Sequence, residues 1–298
     1  MKGLTTLGQL GVPEIRRLID LTLSYKQDIE TGNGVERLLQ HRVVANAFFE
    51  PSTRTLLSFE LAAKRLSGHV ITFHPEISSS LKGESLQDTM RTITAIGADI
   101  LVVRHAENGF PDLVQEWTAV PVINGGDGSN EHPTQGLLDA ATLTARFSDL
   151  TGLKMGVVGD VGHSRVAGSL VQVMPTLGVD VTFIGPESLL PESPIGGVEV
   201  TCDLDAILPE LDVIYLLRVQ RERGALVGDD YETRYRLDGK RASRMKPEAV
   251  IMHPGPLNRG VEIAPDVADG PRSLILDQVR HGVPTRMAVL AEISRTLQ

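Results

Sequence analysis

The sequence predicts an α/β protein built from two doubly wound parallel-sheet domains. Short apolar runs typical of strands alternate with stretches of helical periodicity, a pattern that favours parallel sheets with crossover helices. The chain has 298 residues, which is about the size at which one hydrophobic core gives way to two. A turn-like segment at 148–152 precedes a new apolar run. We therefore expect domains over 1–147 and 148–283, with a C-terminal helix, about 284–298, packing back on the first domain.

The predicted strands are short and rich in valine and isoleucine. In chain order they cover residues 43–49, 70–73, 100–103, 120–123, 155–158, 181–184, 213–217 and 250–252. The spacing of apolar residues predicts an entry helix over 13–29, a helix over 136–147 and a last helix from about 285 to 295.

Composition limits the classes of function. The chain carries 38 acidic and 29 basic residues, a net charge of -9, whereas a nucleic-acid-binding surface normally needs a basic face. The single cysteine, Cys202, can form neither an internal disulfide nor a Cys-based metal site, which favours a reducing, cytoplasmic location. No apolar run approaches the roughly 18 residues of a spanning helix, and the N-terminal segment does not resemble a signal peptide. We expect no nucleic acid, no membrane and no metal.

The segment 52–55, with the sequence Ser-Thr-Arg-Thr, is predicted to bind a phosphate group. It lies between the strand-like run 43–49 and a helical stripe that starts at Leu57. Backbone N–H groups and the positive end of the helix dipole favour an anion there, and the side chains add further donors. Ser52 could instead be a plain helix cap. Arg54 argues against that, because a cation in the first turn opposes the dipole.

Three further arginines follow predicted strands. Arg104 and Arg218 come directly after apolar runs, and Arg165 opens a helix after a glycine-containing turn. Open α/β sheets bind ligands outside the carboxyl ends of their strands. The sequence therefore predicts that these guanidinium groups serve an anionic ligand.

Two more loops occupy similar positions. His132 and Gln135 flank the start of the helix that follows run 120–123, and a neutral His132 could donate one N–H to a substrate carbonyl. Taken alone, His132 would more often be a structural histidine hydrogen-bonded to a loop. The loop 253–256, His-Pro-Gly-Pro, could offer backbone carbonyls to a substrate amide or could be only a tight turn.

Seven motifs occur in consistent order over about residues 40–290. They are FEPSTRT at 49–55, KGE at 82–84, VRH at 103–105, HPTQ at 132–135, GDVGHSR at 159–165, RVQ at 218–220 and HPGP at 253–256. Together they resemble the catalytic subunits of the aspartate carbamoyltransferase family. The resemblance implies an enzyme with its active site between two domains, which makes N-carbamoyl-aspartate and phosphate from carbamoyl phosphate and aspartate, an early step of pyrimidine biosynthesis. It implies no cofactor.

The resemblance also assigns roles to single residues. Those expected to bind carbamoyl phosphate are Ser52, Thr53, Arg54, Thr55, Arg104, His132, Gln135, Gly255 and Pro256. Those expected to act in catalysis are Arg54, Thr55, Arg104 and His132. Those expected to bind aspartate are Lys82, Arg165, Arg218 and Gln220.

The resemblance further implies a homotrimer with shared active sites. Ser78 or Ser79, together with Lys82, would reach the site of a neighbouring subunit. Whether regulatory chains or a dihydroorotase also bind stays open. Two features depart from the family pattern, namely Leu56, where many members have a basic residue, and the segment 224–239 near the aspartate side.

Three alternatives fit the sequence less well. An ornithine-type carbamoyltransferase typically carries a cysteine in the loop that here reads His-Pro-Gly-Pro, and several cations suit a dicarboxylate better than a cationic acceptor. Gly156, Gly159 and Gly162 do not have the spacing of a dinucleotide-binding turn. A non-catalytic protein that keeps the fold would not need all the matched site residues.

Overall fold

A computed structural model describes residues 1–78, 83–192, 196–220 and 230–297 of the chain. The chain divides into two compact units, of which unit 1 is Met1–Ala141 with Arg280–Gln298 and unit 2 is Thr142–Val279. The change of unit at Ala141 falls inside a helix. The domain bounds expected from the sequence stay a prediction.

The helices run as follows in chain order: α1 Val12–Thr31, α2 Thr53–Arg65, α3 Leu86–Ala95, α4 Phe110–Trp117, α5 Pro133–Phe147, α6 Arg165–Val173, α7 Leu204–Ile207, α8 Tyr231–Tyr235, α9 Gly239–Ala242, α10 Pro265–Ala268 and α11 Ile275–Ser294. Within the part of the chain that the structure describes, no helix is both long and apolar enough to cross a membrane.

Unit 1 contains a sheet of four parallel strands. These are β1 Val43–Phe48, β2 His69–Phe73, β3 Ile100–His105 and β4 Val122–Asp127, in the order β2-β1-β3-β4. The inner strands β1 and β3 are largely buried, as expected for a parallel sheet covered on both faces. A core cluster that includes Ala45, Met90 and Leu101 packs β1 and β3 against α3.

Strand β4 begins later and runs further than its sequence predicts. The expected run was 120–123, but the strand continues through polar residues to Asp127, all of them buried. It can do so because the polar groups bond to one another. Asn124 Nδ2 donates to Asp127 Oδ1 at 2.8 Å, and the Gly126 amide donates to Asn124 Oδ1 at 2.7 Å.

Unit 2 contains a sheet of five parallel strands. These are β5 Lys154–Val158, β6 Asp180–Ile184, β7 Glu199–Thr201, β8 Val213–Leu216 and β9 Val250–Met252, in the order β7-β6-β5-β8-β9. The sequence does not predict β7, because this edge strand is short and its first two residues are exposed. The other four strands agree with the apolar runs that predict them.

The C-terminal helix is longer than expected. The sequence places its start near 285, after Pro284, but α11 begins at Ile275 and carries Pro284 in its interior. An interior proline costs about 3 kcal/mol because it removes a backbone donor and crowds the preceding turn. Six fully buried residues compensate for this cost, namely Met287, Ala288, Val289, Leu290, Ala291 and Ile293.

The end of α11 is tied to the rest of unit 1. Arg17 of α1 forms an ion pair with Glu292 at 2.5 Å, and Arg42 donates to the Leu297 carbonyl at 2.9 Å. Arg42 also pairs with Asp99 at 2.8 Å. The last residues of the chain therefore complete a unit whose other residues come from the first half of the sequence.

Ile100→Ala should destabilise unit 1, because Ile100 in β3 is fully buried and the substitution leaves a cavity. We expect a loss of about 3 kcal/mol in the free energy of unfolding, measured by urea denaturation followed by circular dichroism. Ile96→Ala is the matched control, since Ile96 is 72% exposed, and it should change stability by no more than about 0.5 kcal/mol. Equal effects of the two substitutions would contradict this assignment of the core.

Candidate active site

The predicted phosphate-binding segment forms the start of α2. Ser52 occupies the N-cap position with extended backbone, but its side chain does not cap the helix. Thr55 is buried, and Arg54 is exposed at the same helix start. The first-turn N–H groups of α2 therefore share this position with hydroxyl groups and a cation, an arrangement that suits an anion.

Arg104 lies at the carboxyl end of β3, in register with Phe48 of β1. Its Nε is 3.5 Å from Glu50 Oε2, and its Nη1 donates to the Gly125 carbonyl at 3.3 Å. The amide of Phe49 donates to the Arg104 carbonyl at 2.8 Å. These contacts hold the guanidinium at the edge of the sheet, next to the turn that leads into α2. The sequence did not indicate the role of Glu50.

His132 precedes α5 and approaches the start of α2. Its Nε2 lies 3.3 Å from Thr55 Oγ1, and both side chains are buried. Burial lowers the pKa of His132 well below its ordinary value of 6.5, and the positive charges of Arg286 and Arg104 lower it further. The imidazole is therefore neutral at physiological pH, the state in which one ring nitrogen donates an N–H and the other accepts.

The loop before His132 is held by buried carboxylates. Asp127 Oδ1 accepts the amide of Glu131 at 3.1 Å. Glu131 in turn accepts the Thr6 hydroxyl at 2.5 Å and the Leu7 amide at 2.9 Å. Burial raises the pKa of Glu131, although these two hydrogen bonds act against the shift. The N-terminal segment thus fixes the backbone from which His132 projects.

Gln135 lies in the first turn of α5 and is buried. Its Nε2 donates to Asp139 Oδ1, one helical turn later, at 2.9 Å. The start of α5 therefore carries two predicted site residues, His132 and Gln135, within the same unit as Arg104 and the start of α2.

In unit 2, Arg165 is the first residue of α6 and is 6% exposed. The turn before it is bonded to the segment that follows β8. Asp160 contacts His163 Nδ1 at 2.6 Å and accepts the Gln220 amide at 2.9 Å. Gln220 Nε2 donates to the His163 carbonyl at 2.8 Å. The structure therefore links Gln220 to the turn that leads into Arg165.

Arg218 lies two residues before Gln220, close to the carboxyl end of β8, and is half-buried. Strand β8 is the direct neighbour of β5, the strand that leads to Arg165. Both predicted aspartate-binding arginines therefore follow adjacent parallel strands of the unit 2 sheet.

The loop 253–256 follows β9 and is fixed by a buried pair of side chains. The amide of Gly255 donates to His253 Nδ1 at 2.8 Å, so the other ring nitrogen, Nε2, carries the proton that faces Glu262 Oε1 at 3.2 Å. Glu262 also accepts the Asn258 amide at 2.5 Å. The peptide bond between Gly255 and Pro256 is cis. These bonds determine where the Gly255 and Pro256 carbonyls lie.

Several predicted features lie outside the described residues. Ser79, Lys82 and the first part of the 224–239 segment belong to this group. Ser78 is described, and its hydroxyl donates to the Pro75 carbonyl at 2.9 Å. In the described ranges, no three His, Cys, Asp or Glu side chains are grouped so that they could hold a metal ion.

Comparisons with known proteins match both halves of the chain to domains of one family. Residues 2–145 match the family described as "Aspartate/ornithine carbamoyltransferase, carbamoyl-P binding domain". Residues 151–293 match "Aspartate/ornithine carbamoyltransferase, Asp/Orn binding domain". The chain belongs to the aspartate/ornithine carbamoyltransferase family. The family resemblance inferred from the sequence motifs is thus confirmed.

Individual relatives are similar over most of their length. An aspartate carbamoyltransferase catalytic subunit from Salinispora arenicola is 52% identical over 272 residues, 87% of each chain. The catalytic subunit of M. jannaschii aspartate transcarbamoylase matches with a TM-score of 0.87 and 36% identity over 99% of each chain. A structure of the Trypanosoma cruzi enzyme with carbamoyl phosphate and aspartate matches with a TM-score of 0.89 and 31% identity, over 98% of this chain and 96% of that one. The fold of two parallel-sheet α/β domains is confirmed.

His132 should remain neutral in the folded protein well below pH 6.5, because burial and two nearby arginines disfavour its charged form. An unfolded chain binds a proton at this position near pH ~6.5. Stability should therefore fall as the pH drops below that value, since only the unfolded state takes up the proton. We expect the His132 ring resonances in NMR to keep neutral-form shifts from about pH 8 to pH 6.

The ring resonances that disappear in His132→Gln are those of His132. The variant also lacks the pH dependence of stability that arises from protonation of His132 in the unfolded chain, so it should lose less stability than the wild type between about pH 7 and pH 5. A His132 signal that titrates near pH ~6.5 would be incompatible with the buried neutral ring.

Proposed function

We propose that the protein is an aspartate carbamoyltransferase, which transfers the carbamoyl group of carbamoyl phosphate to the amine of L-aspartate and releases phosphate. The observation that carries the proposal is the neutral, buried His132, whose Nε2 lies 3.3 Å from Thr55 Oγ1 at the anion-binding start of α2. The family membership of both halves of the chain supports it. The reaction belongs to pyrimidine biosynthesis.

The first half of the mechanism concerns carbamoyl phosphate. Its phosphate group lies against the α2 N-terminus, where segment 52–55 supplies hydroxyls, backbone N–H groups and the Arg54 guanidinium. Its carbonyl oxygen accepts hydrogen bonds from Thr55, Arg104 and His132. Because His132 is neutral, it polarises the carbonyl without adding a third positive charge beside Arg104 and Arg286.

The second half concerns attack by aspartate. The amine of aspartate forms a bond to the carbamoyl carbon, which places negative charge on the carbonyl oxygen. The donors already aimed at that oxygen stabilise the charge as it develops. The C–O bond to phosphate then breaks, the electron pair leaves with the phosphate, and the proton of the amine passes to the departing phosphate. No side-chain nucleophile is needed.

Aspartate is the proposed acceptor because of the cations in unit 2. Arg165 and Arg218 follow adjacent parallel strands, and two guanidinium groups match two carboxylates better than they match the cationic side chain of ornithine. Gln220, bonded to the turn before Arg165, completes the described part of this set. Lys82 is proposed as a further aspartate ligand.

We also infer that the protein works as a homotrimer with shared sites in the cytoplasm. Four large apolar side chains of unit 1 are exposed on α2 and on the segment that follows it, namely Leu57, Leu61, Ile71 and Ile77. Leu57 and Leu61 lie one helical turn apart on the same face of α2, and exposed apolar side chains grouped in this way are typical of a surface that another chain covers. Ile77 directly precedes Ser78, which with Lys82 would enter the neighbouring site. The lone cysteine, Cys202, fits a reducing compartment.

The proposed function predicts which acceptor is used. Phosphate release from carbamoyl phosphate should require L-aspartate and should not occur above background with L-ornithine, because the cations of unit 2 repel the ornithine side chain. The measurement is a coupled phosphate assay with each acceptor in turn. Turnover with ornithine alone would overturn the proposal.

A second exposed arginine of unit 1 provides a control for this assay. Arg54→Ala should lower kcat/KM for carbamoyl phosphate by about 100-fold, the cost of losing a charge-assisted hydrogen bond. Arg16→Ala, at an exposed position of α1, should leave it unchanged.

Shared active sites predict recovery of activity in mixed oligomers. Arg54→Ala and Lys82→Ala should each be nearly inactive alone, since every site then lacks one ligand. After dissociation and reassembly together, some sites contain both wild-type residues, so carbamoyl transfer should reappear. Mixing Arg54→Ala with His132→Ala is the control and should give no recovery, because both changes affect the same half of a site. If mixed oligomers form by native mass spectrometry but stay inactive, the site is not shared.

A further inference from the structure

Two charged side chains that have no role assigned so far are buried in the interior of unit 1, close to the ligand-binding groups Gln135 and His132. Asp139 of α5 is 0% exposed and Arg286 of α11 is 3% exposed. Burying charges is costly unless they are paired or hydrogen-bonded. Neither residue is among those that the family resemblance implies for substrate binding. Their burial therefore requires partners that offset the cost of removing each charge from water.

Asp139 is bonded to Gln135, which the family resemblance expects to bind carbamoyl phosphate. Its Oδ1 accepts a hydrogen bond from Gln135 Nε2 at 2.9 Å. A glutamine amide has one donor end and one acceptor end, whereas an ionised carboxylate can only accept. A charged Asp139 therefore holds the NH2 end of Gln135 towards itself. The carbonyl oxygen, Oε1, is then the end that can accept a hydrogen bond from a ligand.

Arg286 is a second buried charge of unit 1, and it interacts with the Asp139 carboxylate electrostatically. Its guanidinium lies over the ring of Phe59 from α2 at 5.0 Å, and its Nη1 donates to the Gly282 carbonyl of its own helix at 2.8 Å. Burial lowers the pKa of Arg286 to about 9, while the charge of Asp139 acts in the opposite direction. Arg286 is therefore still a cation at neutral pH, and the attraction between it and Asp139 favours the ionised carboxylate.

We propose that Asp139 and Arg286 are positioning residues that fix the amide orientation of Gln135, so that Oε1 of Gln135 accepts a hydrogen bond from the carbamoyl NH2 group. The proposal rests on the proposed function, because the carbamoyl NH2 is a feature of that substrate. If the oxygen of the Gln135 amide faces the ligand, it accepts a hydrogen bond from the carbamoyl NH2 group. If the NH2 end faces the ligand, two donors meet and no hydrogen bond forms. The buried pair thus selects for an amide on the substrate.

The pair should affect one part of the substrate and not the other. The phosphate group contacts segment 52–55 at the start of α2, and the carbamoyl NH2 contacts Gln135 at the start of α5. Inorganic phosphate lacks the NH2 group. Loss of the Gln135 orientation should therefore weaken binding of carbamoyl phosphate and leave binding of inorganic phosphate intact.

Asp139→Asn tests the proposal with minimal change in volume. The neutral amide that replaces the carboxylate can present either its oxygen or its NH2 group to Gln135, so the glutamine is no longer held in one orientation. We expect kcat/KM for carbamoyl phosphate to fall by about 10- to 100-fold. The dissociation constant of inorganic phosphate, measured by isothermal titration calorimetry, should change by less than about threefold, a difference below the usual cost of a lost hydrogen bond.

Variants of Arg286 separate positioning from stability. Arg286→Met leaves the Asp139 carboxylate without its counter-charge and should lower both stability and kcat/KM. Combining it with Asp139→Asn removes both charges, which should restore stability relative to Arg286→Met but leave kcat/KM for carbamoyl phosphate as low as in Asp139→Asn. Arg286→Lys keeps the cation and should retain most of the activity. Arg42→Met is the control, because it removes the Asp99 ion pair and the Leu297 contact of the same unit without touching α5.

Two outcomes would overturn the inference. One is an unchanged kcat/KM for carbamoyl phosphate in Asp139→Asn. The other is an equal loss of affinity for inorganic phosphate and for carbamoyl phosphate, which would indicate a general disturbance of the site. Either result, together with normal carbamoyl transfer to aspartate by the wild type, leaves the proposed function in place. Failure of the wild type to transfer the carbamoyl group to aspartate would instead remove the proposed function itself.

Discussion

The parallel direction of every strand pair is the constraint on which the rest of the structure depends. Within each sheet all strands end at the same edge, so whatever follows each strand is delivered to one place. In unit 1 that place receives Arg104 and the starts of α2 and α5. In unit 2 it receives Arg165, the segment 218–220 and the loop 253–256. Within each unit, the strand order alone therefore brings together residues that are far apart in the sequence.

The fold could be predicted from the sequence wherever a strand is buried on both faces. Such strands are continuous apolar runs, and the bounds of β1, β5, β8 and β9 lie within about a residue of those runs. Prediction was wrong where another interaction replaced hydrophobicity. Strand β4 continues through buried polar residues that satisfy one another, and α11 continues through Pro284 because the buried apolar side chains that follow outweigh the lost hydrogen bond. The edge strand β7 has no apolar signal, because it is largely exposed.

The sequence predicted the residues that would contact a ligand. It did not predict the residues whose hydrogen bonds or charges position those ligand-binding side chains and loops. Arg54 and Arg104 stand out because a cation at a helix start or a strand end is locally unfavourable or unusual. Glu50, Glu262 and Asp139 give no such signal, because a carboxylate next to a turn or within a helix resembles any solvated acid. Their roles depend on burial and on partners that only the tertiary structure supplies, such as the Gln135 amide or the His253 ring.

Unit 1 is discontinuous in the sequence, since it needs Arg280–Gln298 in addition to Met1–Ala141. A ribosome therefore synthesises unit 2 before the part of α11 that supplies Arg286, whose guanidinium lies over the Phe59 ring. Until then the α2 and α5 segments exist without their buried cation, and Asp139 lacks the Arg286 guanidinium that opposes its charge. The order of synthesis thus delays completion of unit 1 until after unit 2 has been made, although most of the residues of unit 1 come first.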